Sequence, residues 1–196
     1  MSMIVRLFLP LLAASCFAEA RSAEFRTYQD DRSGFSFSYP ANYEFTNVVE
    51  SRSGFVSGVL KRDAVDILVE AKDLADYPAE WRAQGRTSFV DAAVAIAMLM
   101  CDADGPDGSR SCPEILRQST FGNRHNLECV EINLREVITA IEPKRFTTRT
   151  RGPVYAVRIP RPNLPVILFF EFVPDFTPRT ADTHILQEIV NSVRGK

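Results

Sequence analysis

The run Val166-Ile167-Leu168-Phe169-Phe170 restricts the possible folds most, because it is apolar on both faces of any strand it forms. Side chains alternate across a strand, so a run with no polar position needs cover above and below. It therefore predicts a central strand inside a layered domain. Phe35, Phe37 and Tyr39 behave differently. They alternate with Ser36 and Ser38, the period of a half-buried strand, which Pro40 ends. Further strands are predicted over 54–60, 65–71, 115–121, 128–139, 145–150 and 154–159, with Gly152-Pro153 read as a turn between the last two. Val130, Ile132 and Leu134 fall on one strand face, and Cys129, Glu131, Asn133 and Arg135 on the other.

Two helices interrupt this pattern. Ser88 followed by Asp91 is close to a capping box, with Asp in place of Glu or Gln, and 92–101 is apolar without a break. That stretch is too short to span a bilayer and suits a buried helix. A second helix is predicted over 181–194, where Ile185, Leu186, Ile189, Val190 and Val193 form a stripe opposite Gln187, Glu188, Asn191 and Arg194. Asp182 and Arg194 near its two ends suit the helix dipole. A shorter helical turn is predicted at 79–84. Strands in a row, a helix, more strands and a final helix do not make βαβ units. The predicted class is α+β, a central antiparallel β-sheet flanked by helices.

The first twenty residues stand apart. A short start with one positive charge at Arg6 precedes an apolar stretch over 7–18, and Ala18-Glu19-Ala20 supplies the small residues of a cleavage site. Residues 1–20 read as a signal peptide and 21–196 as a single domain, exported to the periplasm or secreted. Leu12-Ala13-Ala14-Ser15-Cys16 also resembles a lipobox, which would retain Cys16 as a lipid anchor. The mature chain would keep no transmembrane helix.

Export sets how the cysteines are read. Cys101, Cys112 and Cys129 would survive cleavage and allow three pairings. Proximity favours Cys101 with Cys112 in an oxidising compartment. A loop of that length contributes on the order of 3 kcal/mol in the chain-entropy view. Zinc would need cysteine or histidine ligands at shorter spacing, so no metal site or cofactor is predicted. A net charge of −2 supplies no general case for nucleic-acid binding.

Two stretches resemble the PsbP-like family, named after an extrinsic lumenal subunit of photosystem II. Gly34-Phe35-Ser36-Phe37-Ser38-Tyr39-Pro40-Ala41-Asn42-Tyr43 is similar to its opening strand, which runs into Tyr-Pro and an aromatic residue. The helix ending Asn191-Ser192-Val193 resembles its closing helix. The resemblance implies a PsbP-like α/β/α sandwich and a docking or assembly role without catalysis. Some members bind metal ions, but this sequence holds no matching ligand set.

Several constellations bear on function. Lys144, Arg145, Arg149, Arg151, Arg158 and Arg161 occur with no acid between Glu142 and Glu171, and could face an acidic protein or an anionic envelope surface. The competing reading is a solvated sheet face whose arginines pair with nearby acids. Asp102, Asp104 and Asp107 lie on a Gly-rich loop that could offer oxygens to a hard cation, but Pro106 occupies a ligand position of the calcium-loop pattern. His125 and His184 read as ordinary polar residues, because no nucleophile motif accompanies them. Trp81 reads as packing a short helix on the sheet. The expectation is a noncatalytic exported binding or assembly domain. The alternative is a small extracytoplasmic hydrolase whose acidic catalytic residues are not identified.

Overall fold

A computed structural model describes residues 24–50, 56–103, 110–140, 145–173 and 176–196. The predicted signal peptide with Cys16, the basic Lys144 and most of the Asp-rich loop lie outside the described residues. In chain order the elements are β1 (Phe25–Asp30), β2 (Phe35–Pro40), β3 (Glu44–Glu50), β4 (Val56–Arg62), β5 (Val65–Asp73), α1 (Ala79–Thr87) and α2 (Phe89–Ala103). They continue with β6 (Arg110–Gly122), β7 (Glu128–Ala140), β8 (Arg145–Ile159), β9 (Val166–Phe172), α3 (Thr180–Ser192) and β10 (Arg194–Gly195).

The strands form two antiparallel sheets. One has seven strands in the order β3-β4-β5-β9-β8-β7-β6, and the other has three in the order β1-β2-β10. β9, which carries the doubly apolar run, is the middle strand of the large sheet, and all seven of its residues are buried. Its faces enter different cores. Val166, Leu168 and Phe170 pack with Phe35, Phe37 and Tyr39 of β2 and with Leu186, Ile189 and Val190 of α3. Ile167 and Phe169 pack with Ala93, Ile96 and Ala97 of α2 and with Val130, Ile132 and Leu134 of β7. Phe37 meets Phe170 edge to face at 5.3 Å, joining the two sheets. Helices alone therefore do not cover the large sheet: the three-stranded sheet shares one face with α3, while α2, backed by α1, lies on the other.

Several elements differ from the sequence reading. Residues 145–159 form one strand, and Gly152-Pro153 is a bulge within it rather than a turn. Ile132 faces Val154 and Leu134 faces Arg151, so both residues sit opposite Asn133. Gly152 has φ +129°, and a Cβ there would come within 2.8 Å of the Ile132 carbonyl oxygen. Only glycine fits that backbone. At the C-terminus the helix stops at Ser192, because Val193 leaves helical geometry and Arg194 pairs with Ser36 of β2. Strands β1 and β3 were not predicted. β1 is largely exposed, and its Phe25 and Tyr28 do not alternate with polar residues.

Local hydrogen bonds fix the ends. Ser88 Oγ accepts from the Asp91 N–H at 3.2 Å, as its spacing predicts for the start of α2. Ser38 N–H donates to Ser192 Oγ at 2.8 Å, and that hydroxyl donates to the Ser38 carbonyl at 3.1 Å, tying α3 to β2. Asn123 is buried in the β6–β7 turn. Its amide donates to the Val190 and Val193 carbonyls at 3.3 and 2.9 Å, and its oxygen accepts from the His125 and Leu127 N–H groups. One side chain thereby closes the turn and satisfies the end of α3.

Candidate functional site

β6, β7 and β8 have 13, 13 and 15 residues, whereas β9 has 7. β8 pairs with β9 only over Tyr155–Ile159, so its first half runs on beside β7 alone. Where β8 leaves β9, backbone pairing is replaced by an ion pair. Arg151 donates to both Glu171 oxygens, with Nη2 at 2.9 Å from each and Nε at 3.1 Å from Oε2. Both residues are buried. Next to them, Glu136 is fully buried, pairing with Arg149 across the strand and with Arg110 Nη1 at 3.4 Å. A buried carboxylate is tolerated when its oxygens are taken up by charged donors in this way.

Glu136, Arg149, Arg151 and Glu171 line a cleft of about 240 Å³ together with Thr150, Gly152, Phe172, Phe176, Thr177 and Pro178. The sequence reading missed Glu136 and Glu171, although it held a signal for each. Glu136 continues the alternation of Val130, Ile132 and Leu134 on the buried face, and Glu171 interrupts an otherwise apolar strand. A charge in an apolar register demands a buried partner.

The predicted basic segment is thus divided. Arg151 does not reach the surface, because it is consumed by Glu171, and Arg149 is held by Glu136. Arg158 pairs with Glu128 at 3.2 Å in the open, and Arg161 reaches Asp73 at 3.4 Å and the Arg32 carbonyl at 2.7 Å. Arg145 enters β8 next to Phe146, whose side chain is 68% exposed. Acids missing from the segment itself are supplied in space by Glu136, Glu171, Glu128 and Asp73: Arg149, Arg158 and Arg161 are partly exposed and paired, whereas Arg151 is buried, unlike a residue of a solvated sheet face.

Cys101 and Cys112 form a disulfide that joins the end of α2 to the start of β6, with Cα atoms 6.0 Å apart. Cys129 is free and buried. Its thiol donates to the Leu127 carbonyl at 3.4 Å, and burial pushes its pKa up to about 12. His125 Nε2 accepts from Arg194 Nε at 3.1 Å, and His184 is exposed on α3. Neither stands beside a nucleophile in these contacts. Trp81 stacks on Tyr77 at 5.5 Å against the α2 core, and burial raises the Tyr77 hydroxyl to about 12. Among the described residues no group of three acidic, histidine or cysteine side chains is placed to hold a metal ion.

A separate cluster anchors α3. Asp182, buried at its first turn, accepts from the Arg179 N–H and Nε at 3.0 Å each and pairs with Arg62 at 3.4 Å. The Arg179 hydrogen bond holds its carboxyl below the usual 3.8. Arg62 also lies over the Tyr43 ring at 4.7 Å.

No family model matches this sequence, and no curated protein does. Among solved structures, the chain is similar to the solution structure of cyanobacterial PsbP (CyanoP) from Synechocystis sp. PCC 6803. The identity is 12%, the match covers 94% of this chain and 99% of that one, and the TM-score is 0.57.

Proposed function

We propose that this chain, whose fold is PsbP-like, serves as a noncatalytic binding or assembly domain outside the cytoplasm, docking to an acidic protein partner through the part of β8 that extends beyond β9. The observation that carries this reading is Phe146, a large apolar side chain two-thirds in solvent, next to Arg145 on the extended half of β8. Exposed aromatic and arginine residues are what interface anchors are made of. Arg145 and, beside it in sequence, Lys144 supply the positive charge, while Arg149 and Arg151 hold the extension in place through Glu136 and Glu171; Arg158 and Arg161 lie at or beyond the other end of β8, paired with Glu128 and Asp73. The disulfide suits an oxidising compartment. No helix among the described residues is long and apolar enough to cross a membrane. A signal peptide at 1–20 would deliver the chain to the periplasm or medium.

The hydrolase alternative draws on the two carboxylates of the cleft. A carboxyl pair for glycoside cleavage needs one member free to donate a proton, whereas Glu136 and Glu171 are both engaged by guanidinium groups. The geometry therefore favours binding.

Retention by the native envelope fraction tests the docking reading. Phe146→Asp and Arg145→Glu should each lower retention without changing the melting temperature, and salt should weaken the wild type. Equal retention of all three proteins would contradict it.

A further inference from the structure

Strand β6 ends the large sheet and pairs with β7 alone. Such edges are ordinarily guarded against pairing with other chains by charge, proline or bulges. β6 has Pro113 and two bulges, one between Ser111 and Glu114 and one between Ile115 and Arg117. The backbone is thereby guarded, yet the side chains at the second bulge are Ile115 and Leu116, 40% and 41% exposed. Adjacent large apolar residues at a guarded edge suit a contact made by side chains rather than by a backbone ladder.

The charges beside them are arranged symmetrically. Ile115 faces Leu134 on β7, and Leu116, the extra residue of the bulge, faces none. Glu114 faces Arg135 and Arg117 faces Asn133, so the bulge lies midway between acid and base. Arg135 and Asn133 are two apart on β7, which places Glu114 and Arg117 on one face of the sheet. Glu114 meets Arg135 at 3.1 Å with both side chains about half exposed. Arg117 is exposed and has no ion pair among the described residues. A twofold axis through the bulge, perpendicular to the sheet, reverses the strand and preserves its faces. It would set Glu114 of each copy opposite Arg117 of the other and bring the two Ile115–Leu116 pairs together at the axis. Two like charges, or an acid and a base on different faces, would not match themselves under this operation. A patch that complements itself is what a twofold dimer requires.

We propose that the β6 edge binds a second copy of this chain, with Ile115 and Leu116 at the twofold axis and a Glu114–Arg117 pair on either side of it. β8 lies on the other side of β7. Dimerisation and docking at Phe146 therefore use different surfaces, and either can fail without the other.

Sedimentation equilibrium of the full mature chain tests it, from about 10 µM to about 1 mM, the range of small interfaces. The wild type should associate to a dimer, and no further, with an affinity that falls as salt rises. Leu116→Asp should weaken association by at least about tenfold, because it places two carboxylates at the axis. Glu114→Arg and Arg117→Glu should each weaken it similarly by setting like charges face to face. An equimolar mixture of those two variants should dimerise again, since each supplies the sign that the other lacks. The proposal is overturned if the wild type stays monomeric at about 1 mM, if the three variants associate like the wild type, or if the mixture remains monomeric.

Discussion

Where β2 lies over β9, Phe37 meets Phe170 ring to ring; where β8 leaves β9, Arg151 clasps Glu171. The first holds the small sheet against the large one and the second ties two neighbouring strands within the large sheet, by opposite means. The first buries apolar surface and needs no exact partner geometry. The second confines two charges whose desolvation is repaid only while both are present. The contrast separates a region built for stability from one whose stability is conditional, and the conditional region holds both the cleft and the proposed docking strand.

Mutations can break this comparison at either end. Phe37→Ala should cost about 3–5 kcal/mol in denaturant unfolding, as for a fully buried aromatic ring. Phe146→Ala should stay within about 0.5 kcal/mol of the wild type. A large loss at Phe146 would mean that the extension is part of the core. Glu171→Ala should also cost about 3–5 kcal/mol, because the buried Arg151 guanidinium loses the carboxylate that takes up its Nε and Nη2 donors. The matched control Glu128→Ala, which breaks the exposed pair with Arg158, should cost less than about 1 kcal/mol. Similar losses for the two acids would erase the distinction between a buried and a solvated pair.

The disulfide lies between these extremes in expected effect. Replacing Cys101 and Cys112 together by Ser should lower stability by about 2–4 kcal/mol in the oxidised protein. Cys129 should resist thiol reagents in the folded protein at pH 8, since its thiol is buried with a pKa near 12, and should react once in denaturant. Rapid labelling of the native protein would contradict its placement.

The smallest effect expected is a pH dependence at α3. Asp182 has a folded pKa depressed below 3.8, so its contribution to stability is complete above that value and is lost as pH falls through the folded pKa. Wild-type stability should therefore fall more steeply below pH 4 than that of Asp182→Asn, measured by denaturant midpoints. Parallel curves would remove Asp182 from the account.

The two regions also differed in how far the sequence revealed them. The alternation of Phe35, Phe37 and Tyr39, the unbroken run of β9 and the stripe of α3 all survive in the structure, because periodicity is a local signal of burial. β1 had no such signal, since its two aromatic residues, Phe25 and Tyr28, fall on opposite faces and no alternation marks the strand. Gly152-Pro153 reads as a turn, and only the pairing of β8 with β7 shows that the glycine serves a bulge. The arginines posed the hardest case. Whether Arg151 is a surface charge or a buried one depends on Glu171, twenty residues away and brought close by sheet order. No spacing rule within the segment contains that information.

The central claim is that the extended half of β8 is the surface that meets a partner. Photocrosslinking in the native envelope tests it most directly, with a benzophenone side chain placed at position 146 and, as a comparison, at the exposed position 27 on β1. The account predicts a discrete protein adduct from position 146 and none from position 27. Adducts of equal yield from both positions, or none from position 146, would contradict it.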